Sequence, residues 1–165
     1  MASGDTLAVL TPLSNEPPAA NYATLDTRNA HPCLDFDATT DEIANFSGIM
    51  PRNYDGGGVT VYLHWSASTD DNAAHFCYWD AAFERIAAND LDIDGDGFAA
   101  AQSTDDTSPN GTLGKVTITS IAFTNGAQMD SVVAGDLFRL QITRDAATDD
   151  MTGDGELLGI EIKET

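Results

Sequence analysis

Asp92, Asp94 and Asp96 occupy alternate positions and are followed by Gly97. That spacing lets carboxylates converge on a hard cation while glycine allows the chain to turn back. Oxygen-only ligands point to calcium or magnesium rather than zinc. The match then stops: the position of a bidentate glutamate holds Ser103, and moving the start to Asp90 puts Ala101 there. A half-loop needs ligands from elsewhere, so a solvated acidic loop is the competing reading. The expectation is no cofactor, or calcium at Asp92, Asp94 and Asp96.

Other chemistry is sparse. His31, His64 and His75 show no zinc spacing, and the chain holds no G-x-S-x-G elbow, P-loop or G-x-G-x-x-G opening a helix. Carboxylates are plentiful enough that a two-carboxylate glycosidase is not excluded by counting. Such a site needs a deep cleft, for which a small domain has little material, so the chain is expected not to be an enzyme. Cys33 and Cys77 belong to no C-x-x-C pattern and read as two free, buried thiols, although one pairing is open to them.

The elements that would position these residues alternate with period two. Val59, Val61, Leu63 and Trp65 oppose Thr60, Tyr62, His64 and Ser66; Phe138, Leu140 and Ile142 oppose Arg139, Gln141 and Thr143; Leu158, Ile160 and Ile162 oppose Gly159, Glu161 and Lys163. Each run predicts a strand with one dry face and one wet face. In 116–123, Val116 and Ile118 give way to Ile121 and Phe123 on the opposite parity, which predicts a bulge or bend. Further strands are expected at 6–11, 22–28, 32–37, 42–50 and 74–86, although 80–86 could also open a short helix. Glycine, proline and asparagine turns separate the runs. Acidic loops are expected over 87–114 and near 145–156. The fold class is all-β: one antiparallel, jelly-roll-like β-sandwich over 1–165 with long acidic loops, and 1–21 as an extended N-terminal arm or edge strand.

Seven basic and 27 acidic residues among 165 give a net charge of −20, which disfavours nucleic acid and anionic membrane surfaces as partners. No apolar run is long enough to span a membrane, and the Met-Ala-Ser-Gly-Asp start does not read as a secretory signal.

Several phrases then carry a resemblance: Asn15-Glu-Pro-Pro18, Tyr22-Ala-Thr-Leu-Asp26, Leu34-Asp-Phe-Asp37, Pro51-Arg-Asn-Tyr54, Trp79-Asp-Ala-Ala-Phe-Glu-Arg85 and Gly135-Asp-Leu-Phe-Arg-Leu140. Together they resemble small structural β-sandwich proteins of tailed bacteriophages. The resemblance implies a capsid decoration (cement) protein on the virion surface, bound to the major capsid protein and self-associating as a homotrimer. Such an interface calls for arginine and aromatic anchors, for which Arg28, Arg52, Arg85 and Tyr54 are the candidates. The alternative is a carbohydrate-binding jelly roll for host recognition, with or without calcium, with Tyr54, Tyr62, Tyr78 and Trp65 along a groove; a tail component is a third reading.

Self-repulsion in a chain this acidic is relieved by screening. The melting temperature is therefore expected to rise as sodium chloride is added, and a flat response in differential scanning calorimetry would contradict it.

Overall fold

The structure is a computed structural model that describes residues 4–70, 72–90, 93–107 and 109–165. Among these residues the alternating runs settle into ten strands: β1 (Thr6–Leu10), β2 (Thr24–Arg28), β3 (His31–Phe36), β4 (Glu42–Ile49), β5 (Val59–Ala67), β6 (Cys77–Ile86), β7 (Gln102–Thr107), β8 (Thr117–Phe123), β9 (Leu137–Arg144) and β10 (Gly155–Glu164). One sheet runs β2-β3-β10-β5-β8, with β1 also paired to β10; the other runs β4-β9-β6-β7. All strand pairs are antiparallel. The chain is an antiparallel β-sandwich of the jelly-roll type.

The sheets bury their facing side chains against each other, as two half-apolar layers must. Leu34 and Phe36, then Val61, Leu63 and Trp65, meet Trp79, Phe83, Leu140 and Ile142, all at most 1% exposed. Phe36 stands edge-on to Trp79 with centroids 5.0 Å apart, and Phe83 stands edge-on to Phe123 at the same separation. These geometries suit the ring quadrupoles. The indole of Trp65 donates to Thr119 Oγ1 at 2.8 Å, so the polar groups of both side chains are satisfied inside the core. Before β5, Gly58 has φ +97°, and a Cβ there would meet the Phe123 carbonyl at 2.6 Å, so only glycine fits without a shift.

Four sequence expectations need resolving or correcting. The ambiguous 76–86 stretch is a strand, with Cys77, Trp79, Ala81 and Phe83 all facing the core. The stretch 87–114 is not all loop, because β7 pairs with β6; its sequence, Gln-Ser-Thr-Asp-Asp-Thr, has no apolar alternation to announce an edge strand. The bulge expected in 116–123 is not there: β8 pairs with β5 in unbroken register from Phe123 to Thr117. Thr119, Ile121 and Phe123 point in, whereas Val116 and Ile118 are 46% and 56% exposed. The shift of register lies instead in β10, between Leu157 and Gly159. It buries Leu157 with Ile160 and Ile162 and leaves Leu158 half-exposed on the outer face.

At the end of β9 lies Arg144, with none of its side chain exposed. Nε and Nη2 donate to the two oxygens of Asp149 at 2.6 and 3.2 Å. The remaining donors serve the carbonyls of Phe36, Met151 and Gly153 at 2.7–3.0 Å. Removing this guanidinium strands Asp149, itself 1% exposed, as an uncompensated buried charge. Arg144→Met is expected to lower stability by about 3–5 kcal/mol in urea unfolding. Adding Asp149→Asn should recover part of that loss, and a loss below about 1 kcal/mol in the single variant would refute the assignment.

Candidate binding groove

The β2–β3 hairpin turns through Asn29 and Ala30, both at positive φ (48° and 65°), the backbone twist that a tight hairpin requires. The turn sets Arg28 opposite His31. From there the Arg28 side chain crosses the outer face of the first sheet. Nη1 bonds Glu156 on β10, and on β5 it bonds the Ala67 carbonyl at 2.8 Å and Ser66 Oγ at 3.4 Å. One cation thereby ties three strands together.

Arg28 also lines a groove of about 710 Å³ on this outer face. Pro12, Leu13, Gly114, Val116 and Leu158 line it as well, together with Ser66 and His31. A smaller hollow of about 290 Å³ shares Pro12 and Leu13 and continues over Pro17, Tyr22 and Leu25. Leu13 is 70% exposed. The two hollows make one apolar surface around it.

Beyond Arg28 on the same face lie Asp26, Cys33 and Asp35. Cys33, Asp35 and Glu156 each bring a ligand-capable atom within 4.8 Å of the others. Burial, followed by the charges of Glu156, Asp26 and Asp154, pushes the Asp35 carboxyl up to about 6. Burial, with Asp35 next in importance, pushes the Cys33 thiol up to about 12. At neutral pH Cys33 is therefore a thiol donating weakly to Asp35 Oδ1 at 3.7 Å, neither a nucleophile nor a ready metal ligand. What this arrangement offers is unbalanced negative charge.

The expected site residues scatter. Asp92 lies outside the described residues, while Asp94 is exposed and Asp96 half-buried in the loop before β7. Arg28 is at the groove. Arg52 and Arg85 instead flank another turn: Arg52 lies over Gly135, and Arg85 Nε bonds Asp136 at 2.6 Å. The three arginines therefore do not share one surface. Tyr54 is no interface anchor, being 6% exposed, with its hydroxyl accepting from the Gly58 N–H and donating to Met129 Sδ. Trp65 is fully buried, while Tyr62 and Tyr78 are half-buried on different sheets. The row of aromatics along a groove does not form. The groove residues missed in the sequence are Leu13, Val116 and Leu158; the parity switch in 116–123 was the signal for Val116, whereas the regular alternation of Leu158, Ile160 and Ile162 hid the bulge that turns Leu158 outward.

Cys33 and Cys77 are both free and buried. Folded Asp35 holds its proton up to about pH 6, whereas an unfolded aspartate releases it near pH 4. Between those values the folded chain binds more protons, so this contribution to stability is present at low pH and lost as pH rises. Asp35→Asn is expected to be more stable than the wild type at about pH 8, with the advantage vanishing near pH 4. Urea midpoints at the two pH values test this, and equal differences at both would refute it.

Neither a family model nor a curated protein matches the chain. Among solved structures it is similar to the Arthrobacter globiformis isomalto-dextranase complexed with panose, at TM-score 0.41 and 17% identity, over 86% of this chain and 20% of that one. It is similar to CBM27-1 of Caldicellulosiruptor saccharolyticus in complex with mannohexaose, at TM-score 0.46 and 9% identity, over 93% and 91% of the two chains. A cleaved adhesin domain of Lys-gingipain from Porphyromonas gingivalis aligns at TM-score 0.42 and 14% identity, over 98% and 99%.

Proposed function

We propose that this chain is a non-catalytic attachment module that seats on a larger protein assembly, in the capsid-decorating role that its sequence resemblance implies. The observation that carries this reading is the apolar concavity around Leu13. It joins Leu158 and Val116 to the exposed Tyr22 and Leu25. A contiguous apolar hollow on a surface otherwise rich in carboxylates gains most when a partner excludes water from it. Arg28, Arg85, Arg139 and Arg144 are each held by a carboxylate of the chain, so apolar contact does more of the gripping than free basic charge. The partner is the major capsid protein, with copies closing into a trimer at a local symmetry axis.

Catalysis fits less well. Asp35 and Glu156 lie beside the groove rather than in its lining, and Glu156 is occupied by Arg28. The groove volume also suits a small ligand, which favours glycan binding as the second reading. Against it, among the described residues no phenyl, phenol or indole ring lines the larger groove, so a sugar would lack the stacking face that such sites use.

Cryo-electron microscopy of particles assembled with and without the chain tests the proposal. Density over the junctions between capsid subunits is expected only when the chain is present. Density confined to tail or fibre tips, or release of the chain from shells by oligosaccharides, would overturn it.

A further inference from the structure

We infer that the outer-face groove receives an extended segment of the partner protein in which apolar side chains flank a lysine or arginine. The apolar side chains fill the hollow around Leu13, Val116 and Leu158, and the cation lies over Asp26 and Asp35. This inference rests on the attachment reading and names the chemistry that the module grips.

Charge complementarity identifies the occupant. The outer face beyond the groove carries Asp26, Asp35 and Glu156, with Asp154 near enough to act on Asp35. Against them stand Arg28, which is committed to Glu156, and the exposed His31. Asp26 Oδ1 accepts the N–H of Thr27, at 2.7 Å, and Asp35 Oδ1 the Cys33 thiol. Among the described residues neither carboxylate has a cationic partner. An acidic segment would be repelled by this face and by the net charge of −20, whereas a basic one neutralises it.

The apolar half of the motif follows from the groove walls. Leu13, Val116 and Leu158 come from the turn after β1, the approach to β8 and the bulge of β10. Ser66 of the lining and Asp35 flank Glu156 across the ladder. A partner segment seated on this face therefore meets both apolar surface and negative charge. A cation arriving over Asp35 would displace its retained proton, so binding should tighten as pH rises through about 6.

The test is selection from a random peptide library against the wild-type chain, with Leu13→Asp and the Asp26→Asn/Asp35→Asn double variant in parallel. Circular dichroism melts verify that each variant is folded. Enriched peptides should carry lysine or arginine between apolar residues and bind less tightly as salt is added. Their affinity should fall about tenfold in the double variant and be lost in Leu13→Asp. Enrichment of acidic peptides, no enrichment, or equal binding by all three proteins would overturn the inference. So would concentration-dependent self-association that Leu13→Asp abolishes, since it would make a second copy the occupant. The same variants applied to shells separate the two claims. If they attach as well as the wild type, the groove assignment fails and attachment stands. If the wild type does not attach while basic peptides bind the groove, attachment fails and the groove assignment stands.

Discussion

The buried ion pair of Arg144 with Asp149 is the constraint on which the rest of the outer face depends. The loop after β9 must return across the end of the sandwich before β10 can begin. Two carbonyls of that loop, of Met151 and Gly153, and the carbonyl of Phe36 at the end of β3 accept from one guanidinium. The loop thus has its buried backbone acceptors satisfied without regular structure. Its exit is fixed as well, because Asp70 accepts from the N–H and hydroxyl of Thr152 and from His75. Gly155 then pairs with both Phe36 and Ala67, close against the Trp79 ring, where a Cβ would sit 3.0 Å away. Only with β10 started in that register does Glu156 arrive opposite Ser66, where Arg28 can reach it.

Two arginines therefore act in series. Arg144 orders the loop from inside the sandwich, and Arg28 clamps β2, β10 and β5 from outside. In a chain with only seven basic residues, committing cations to internal partners leaves the surplus of carboxylates on the surface. The first sheet is divided accordingly. Its inner face is dry, with Trp65 and Thr119 completing each other's hydrogen bonding. Its outer face carries apolar side chains around Leu13 and carboxylates at Asp26 and Asp35, with Arg28 lining the groove and bonding Glu156.

The fold was largely legible because period-two alternation is a direct consequence of burying one sheet face. It was legible in β5 and β9, where each dry position is apolar, and in β6, where the aromatics outweighed a helical reading. β7 was not, because an edge strand of Gln, Ser, Thr and Asp leaves no apolar trace. The site was much less legible. Asp92, Asp94 and Asp96 drew attention because they are adjacent in sequence, while Asp26, Cys33, Asp35 and Glu156 meet only through the β2–β3–β10 pairing. Tyr54 and Trp65 were assigned outward roles because ring type says nothing about facing. The internal bonds to Met129 and Thr119 that help make burial tolerable are long-range facts.

The two places where strand parity failed carry the most information about the surface. A mid-run change of parity has two physical origins: an extra residue in the ladder, or a polar side chain that is content inside. β10 takes the first route, and its bulge turns Leu158 outward. β8 takes the second, since the Trp65 indole makes Thr119 an acceptable core residue and releases Val116 and Ile118 to the outside. Single exposed apolar residues are ordinary on any protein. Here, by unrelated local mechanisms, two strands deliver Leu158 and Val116 to one groove, and a turn from a third adds Leu13. Each leaves apolar area in water at about 25 cal/mol per Å², a penalty that contact with a partner would remove. Convergence of that kind sets this surface apart from scattered exposure, and it is why the proposed attachment is assigned to the outer face of the first sheet rather than to the acidic loop before β7.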